Sequence, residues 1–367
     1  MHVVVAGGGS AGHIEPALAF ADALRRRDPS AQVTALGTER GLDTRLIPAR
    51  GYPLRLIPPV PIPRRPLADL AGLVRVPGRL RAAVRAAAEV LRETGADALV
   101  GFGGFVAGPA YLAARQVGVP IVVHEANPRP GWANRLGARL TTYVATTFPD
   151  TPIRHGRLVG LPIRSAVAGL DRAARRAEGR AAYGLEPDRP TLLVTGGSQG
   201  ARRLNEAAAG AAAHLRSKGV QVLHATGPGQ SVEVPGGSGG SPPYVLVPYL
   251  DRMELAYAAA DLALCRAGAN TVVELTAVGL PAAYVPLPIG NGEQALMAAP
   301  VVAAGGGLMV DDADCTPDWV RSTLTPLLTD PSRLATMGAA AASTGRRDAD
   351  DRLVDLVLEA VTERRSP

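Results

Sequence analysis

The sequence predicts an α/β protein built from two parallel-sheet domains, and three observations carry that prediction. A run reading strand, glycine loop, helix opens the chain at residues 2–24 and recurs from residue 191. The 367 residues suffice for two separate cores. Apolar residues reach 47% while aromatics stay at 4%, a balance that suits closely packed α/β layers and excludes disorder. Repeated alternation of β and α in each half makes both domains Rossmann-like, with a cleft expected between them.

The net charge of +6 rests on arginine, because Lys218 is the only lysine. Such a balance admits nucleic acid, an anionic membrane or an anionic substrate as partner. No arginine run is interleaved with aromatics, so nucleic acid is not expected. Cys265 and Cys315 are too few for a disulfide framework or a four-ligand zinc site, which fits the cytosol. Met1 leads straight into a strand and leaves no room for a signal peptide. The uncharged stretch 275–292 is broken by Pro281, Pro286 and Pro288, so membrane contact is expected to be peripheral.

In chain order, residues 2–6 form a strand, GGGSAGH a loop and residues 16–24 a helix. Gly7, Gly9 and Gly12 match the dinucleotide pattern G-x-G-x-x-G. The next strand, 32–36, ends in Gly37 and not in the acid that holds an adenosine ribose, so a nicotinamide cofactor is disfavoured. His13 closes the loop, where it can touch an anion, act as a base or cap the helix. Residues 67–91 read as helix interrupted at Pro77 and Gly78, with Arg75, Arg79, Arg81 and Arg85 beside Leu67, Leu70, Leu73, Val74 and Val76. An element of that kind either lies on an anionic bilayer or is an ordinary surface helix.

A strand at 98–101 leads into a second glycine loop, and 121–123 leads into HEANPRPGWANR. His124, Glu125, Asn127 and Asn134 cluster there, at strand ends that line a cleft, although buried core roles for His124 and Glu125 fit equally. The second half repeats the cycle with TLLVTGGSQGARRLNEAA, whose Ser198 and backbone N–H groups can hold a diphosphate. Strands at 220–226, 245–249 and 262–265 follow, with a short helix at 253–259. Gly268 then turns the chain into a helix at 270–278, capped by Gly279 and stopped by Pro281. The start of that helix welcomes a phosphate, and Glu274, one turn on, can accept two hydrogen bonds from adjacent ribose hydroxyls. A lone Glu is otherwise a solvated helix residue. The glycine turn before it and the polar group Asn291, Glu293 and Gln294 beyond it favour a nucleoside-sugar pocket.

GGSAGH at 8–13, GFGG at 101–104, HEAN at 124–127, Asn134–Arg135, GLPIR at 160–164, GGSQGA at 196–201, AGANTVVE at 267–274 and GNGEQ at 290–294 run in order along nearly the whole chain. Together they resemble the MurG family of N-acetylglucosaminyltransferases. The resemblance implies a GT-B fold and transfer of N-acetylglucosamine from UDP-N-acetylglucosamine to the 4-hydroxyl of undecaprenyl-diphospho-muramoyl-pentapeptide. It further implies inversion, no metal or other cofactor, and work at the cytoplasmic face of the cell membrane, on its inner leaflet. By the family pattern Glu274 holds the uridine ribose and Leu250 meets uracil through its backbone. Arg164 and Ser198 reach the nucleotide, while Ala269, Asn270 and Thr271 lie near sugar and diphosphate. Asn127, Glu293 and Gln294 contact N-acetylglucosamine. Ser10, His13 and Asn134 face the acceptor, His13 and Asn134 as catalytic residues and His13 as general base, and Ala11 and Gly12 belong to the substrate-binding set. Glu293 stands where many members have Gln, and Met297 where many have Asn, which bears on how the sugar is held.

The domains are expected at 1–163, facing acceptor and membrane, and at 164–344, binding the UDP-sugar, with a C-terminal helix at 345–367 packing back on the first. The competing classes are a nicotinamide oxidoreductase, a docking protein on the inner leaflet, and a UDP-sugar epimerase of the same fold. The first would bind NAD(P) and ignore UDP. The second would bind vesicles with no need of Glu274.

Overall fold

The structure, a computed structural model, describes residues 1–39, 41–60, 70–237, 240–289 and 292–365, the side chains of 70–75 and 365 excepted. Asn291, Leu67 and the side chains of Leu70, Leu73, Val74 and Arg75 therefore lie outside the described residues. The chain divides into two units, Met1–Ser165 with Asp348–Pro367, and Ala166–Arg347.

Among the described residues the first unit holds seven strands: β1 (His2–Gly7), β2 (Gln32–Gly37), β3 (Leu54–Leu56), β4 (Ala98–Gly103), β5 (Ile121–Glu125), β6 (Val144–Thr146) and β7 (Gly156–Leu158). Their order is β3-β2-β1-β4-β5-β6-β7, and all pairings are parallel. Val3 pairs with Val33 on one side and Ala98 on the other, so β1 is an interior strand. Val3, Val4, Val5 and Ala6 are all buried, as a strand covered on both faces requires. One face packs on the helix Ala11–Arg27 and the C-terminal helix Ala349–Arg365, whose Leu353, Val354 and Val357 join Phe20 and Leu24 in one core. Arg26 ties the two helices together through Asp350 at 2.7 Å. The other face packs on the helices Leu70–Glu93 and Gly104–Val117 through Ala83, Ala87, Leu91, Ala107 and Tyr111.

The second unit has, among the described residues, six strands: β8 (Thr191–Thr195), β9 (Gln221–Ala225), β10 (Tyr244–Val247), β11 (Leu262–Cys265), β12 (Ala282–Tyr284) and β13 (Gly307–Met309). They run parallel in the order β10-β9-β8-β11-β12-β13. In both sheets the order reverses at the first strand of the unit, between β1 and β4 and between β8 and β11. The crevice at the carboxyl ends beside such a reversal is where open α/β sheets bind ligands.

One expectation fails. The helix Leu70–Glu93 runs through Pro77 without a break. Pro77 and Gly78 are both exposed, so water can serve the carbonyl one turn back that loses its donor. Among the described residues no helix is long and apolar enough to cross a membrane.

Candidate active site

At the reversal point of the first unit, β1 delivers the loop Gly8–Ser10 and β4 delivers Gly103 and Gly104. His13 stands between them. Its Nδ1 lies 3.1 Å from Ser10 Oγ, and Ser10 makes no side-chain cap to the helix it precedes. With the proton on Nδ1 and donated to Ser10, Nε2 keeps its lone pair. A Cβ on Gly103 would come within 3.3 Å of His13 Nε2 and 3.4 Å of Asn134 Nδ2, and φ there is +93°. The tight glycine corner lets the imidazole settle against β4.

Asn134 is 2% exposed, and its amide is committed. Nδ2 donates to His124 O and to Glu125 Oε2, each at 3.0 Å, while Oδ1 accepts from the Tyr111 hydroxyl at 2.7 Å. It is a fixed strut beside His13, with both ends of its amide bonded inside the first unit. Glu125 shows the buried role that the sequence left open. It accepts from Asn127 N at 2.9 Å, Asn127 Nδ2 at 3.2 Å, Gly131 N at 3.0 Å and Asn134 Nδ2. Burial pushes its carboxyl up from the ordinary range although these four bonds pull the other way. The result is a rigid turn at residues 126–131 that sets Asn127.

Asp43 was invisible in the sequence. It is fully buried, accepts from Gly9 N at 2.7 Å and from Thr38 N at 2.9 Å, and so ties the first glycine loop to the end of β2. In a dinucleotide fold that loop N–H would meet a pyrophosphate. Here a carboxylate already occupies it, which removes the main reason to expect a nicotinamide cofactor.

In the second unit β8 delivers Gly196–Gly200, with Ser198 half-buried. A chain of hydrogen bonds holds this loop from behind. Tyr244 OH meets His224 Nδ1 at 3.0 Å, and His224 Nε2 meets Asn205 Oδ1 at 2.9 Å. Asn205 Nδ2 donates to Gln230 Oε1 at 3.0 Å, and Gln230 Nε2 donates to Gln199 O at 2.9 Å. None of these side chains stood out in the sequence, since they meet only once β8 and β9 pair.

The strand β11 delivers Arg266, another residue without a sequence signal. It binds the carbonyls of Val285 and Pro286 at 3.2 Å and Asp312 at 2.6 Å, joining the exits of β11 and β12. The helix Ala269–Val278 then starts at Gly268 with no side chain capping it. Its first N–H groups are therefore on offer. Ala269, Asn270 and Thr271 are half-buried there, and Asn270 Oδ1 is buried without a hydrogen-bond partner. Glu274, 8% exposed, accepts from the Tyr257 hydroxyl at 2.7 Å. Leu250, beyond the carboxyl end of β10, is 4% exposed.

The helix Glu293–Ala303 begins with Glu293 and Gln294, both half-buried. Gln294 Oε1 accepts from Leu287 N at 2.9 Å, so the amide nitrogen is the group it can turn to a ligand. Met297 is 4% exposed and packs inward. Arg164 is half-buried and falls at the end of the first unit, although it was expected to open the second.

Burial depresses three imidazoles, His2 among them. His124, bonded through Nε2 to Gly160 O at 2.8 Å, and His224 are both lowered to about 4. Unfolded, each binds its proton near 6.5. Between those values the unfolded chain holds more protons, so stability should fall as pH drops from about 6.5 towards 4. Glu125, with its raised carboxyl, opposes this within the first unit. The clean readout is the second unit, where His224→Asn should flatten the slope of melting temperature against pH. An unchanged slope would contradict the assignment.

Two family models cover most of the chain. The glycosyltransferase family 28 N-terminal domain matches residues 3–146, and the glycosyltransferase family 28 C-terminal domain matches 191–353. The chain is 62% identical over 364 residues to a Streptomyces avermitilis protein, with 99% of each covered. That protein is a UDP-N-acetylglucosamine–N-acetylmuramyl-(pentapeptide) pyrophosphoryl-undecaprenol N-acetylglucosamine transferase. A Mycolicibacterium smegmatis protein of the same name is 58% identical, with 97% of this chain and 93% of that protein covered. The crystal structure of Acinetobacter baumannii MurG superposes with a TM-score of 0.75 at 29% identity, covering 98% of this chain and 99% of the other. The Neisseria meningitidis UDP-GlcNAc 2-epimerase, at 14% identity and TM-score 0.66, shares the fold alone.

Proposed function

The chain belongs to glycosyltransferase family 28, with a GT-B fold, and on that premise we propose its reaction and the roles of its residues. It transfers N-acetylglucosamine from UDP-N-acetylglucosamine to the 4-hydroxyl of undecaprenyl-diphospho-N-acetylmuramoyl-pentapeptide, with inversion and without a metal. The observation that carries this reading is the uncapped helix start at Ala269–Thr271 with buried Glu274 one turn inside it, at the end of β11. N–H groups there suit a diphosphate, and the carboxylate suits the two ribose hydroxyls.

His13 Nε2 takes the proton of the acceptor 4-hydroxyl as its oxygen attacks the anomeric carbon. The bond from that carbon to the diphosphate oxygen breaks on the opposite face, so a single displacement inverts the centre. Negative charge gathers on the leaving UDP. The helix start, the glycine loop with Ser198, and Arg164 stabilise it in place of a metal. Leu250 offers its backbone to uracil. Asn127, Glu293 and Gln294 hold the sugar hydroxyls and acetamide. Ser10 orients His13, Ala11 and Gly12 let the acceptor approach, and Asn134 acts as a positioning residue. The first unit takes the acceptor and the second the donor.

The acceptor is lipid-linked, so the protein works peripherally on the inner leaflet of the cytoplasmic membrane. Arg79, Arg81 and Arg85, exposed on the helix Leu70–Glu93, face anionic headgroups in this reading. No nucleic acid is involved.

The test follows UDP release from UDP-N-acetylglucosamine in EDTA, with and without a short-chain analogue of the lipid-linked muramoyl-pentapeptide. Release should require the acceptor, persist in EDTA and give a β-linked product, and should be faster with acceptor in anionic than in neutral vesicles. Tight UDP binding without acceptor-dependent release would overturn the acceptor assignment.

A further inference from the structure

Tyr257 sits in the helix Met253–Ala259, in a run of alanines that reads as core, and it is 1% exposed. Its ring is buried like its neighbours, but its hydroxyl reaches a carboxylate. It donates to Glu274 Oε2 at 2.7 Å, across 17 residues of sequence and between two different helices. A buried tyrosine hydroxyl needs a partner. This one has the carboxylate to which the proposed donor site gives the ribose.

We propose that Tyr257 is the positioning residue for the nucleotide's ribose: its hydroxyl fixes the plane of the Glu274 carboxylate so that two adjacent ribose hydroxyls can be accepted together. This rests on the reading of Glu274 as the ribose-binding group. A glutamate reaches its carboxylate through three rotatable bonds, and an unheld one loses that freedom only when ligand binds. A charge-assisted bond from a rigid phenol removes much of that freedom beforehand.

The phenol is itself held. Arg172 donates from Nε to the carbonyl of Tyr257 at 3.1 Å, from Nη2 to Ala260 O at 2.6 Å and from Nη1 to Gly279 O at 2.9 Å. Ala260 and Gly279 are the C-caps of the two helices that carry Tyr257 and Glu274. One guanidinium therefore clamps both C-termini, where a cation is also favoured by the helix dipoles. The spacing between hydroxyl and carboxylate is thus set by the clamp on the C-termini of the same pair of helices.

The experiment measures binding of UDP and of 2′-deoxy-UDP to the full chain by calorimetry. Wild type should prefer UDP, and Glu274→Ala should abolish that preference. Tyr257→Phe, which keeps the ring and removes only the oxygen, should reduce the preference about fivefold, the scale of one net hydrogen bond. In a Glu274→Ala background, adding Tyr257→Phe should leave the ratio unchanged, because the effect acts through the carboxylate. A merely structural role for Tyr257 would weaken both nucleotides alike. Preference retained in Tyr257→Phe but lost in Glu274→Ala overturns the positioning role and keeps the ribose site. Preference retained in Glu274→Ala overturns the ribose site itself. Should Tyr257→Phe fail to fold, 3-fluorotyrosine at 257 replaces it. A more acidic phenol should raise the preference, and an unchanged ratio would again overturn the positioning role.

Discussion

Replacing His13 by alanine should lower turnover by about 10²- to 10⁴-fold, the range a positioned general base contributes, while UDP affinity stays at the wild-type level. The separation follows from where the groups lie. His13 belongs to the first unit, at the β1–β4 reversal, whereas the uncapped helix and Glu274 belong to the second. Ser10→Ala should cost far less than His13→Ala, since it removes only the 3.1 Å partner that orients Nδ1. Steady-state kinetics with nucleotide titration checks both. Turnover of His13→Ala within tenfold of wild type would mean that another group takes the proton.

Gly200→Ala should cripple the donor site and destabilise the second unit together. Gly200 has φ +72°, and a Cβ there would lie 2.1 Å from the Thr226 carbonyl oxygen and 2.9 Å from Gly227 Cα. Both obstacles are backbone, so neither can rotate away, and the whole glycine loop must move. A left-handed backbone alone costs about 1–2 kcal/mol for a residue with Cβ. The clash should raise the total to about 3–5 kcal/mol, in the range reserved for severe core damage. Gly197→Ala is the internal control, because φ is +81° but no atom lies within 4 Å of its Cβ. Thermal melts and UDP titration of the pair should show a large loss for Gly200→Ala and a small one for Gly197→Ala. Equal losses would place the whole cost in the backbone conformation and remove the steric argument.

Much of the donor site was legible because its parts are local. The glycine loop at 196–200 directly follows one apolar strand, and the Gly268 turn with Glu274 a few residues later follows another. Three strands were not legible. β3, β7 and β13 have three residues each, and β7 is exposed throughout, so none carries an apolar run. Asp43 shows the same limit at a functional position. A single Asp beyond a strand end has no pattern around it, and it matters because β2 pairs with β1 and brings it under Gly9. Asn134 was recognised by type and place, but whether its amide faced outward or inward depended on Tyr111, 23 residues away.

By itself the sequence determined the α/β class, the two glycine-loop halves, the parallel character of the strands and the kinship that points to a UDP-sugar. These depend on local periodicity, on glycine's backbone freedom and on motif order, all of which survive in one dimension. Only the tertiary structure decided that β1 lies beside β4 and β8 beside β11. It alone paired Asp43 with Gly9 and Tyr257 with Glu274. The physical reason is the same in each case. Parallel strands are joined by crossovers, so their neighbours are chosen by how the helices cover the two faces of the sheet. Hydrogen bonds made across those crossovers join residues with no local relation, and they exist only once the faces are packed.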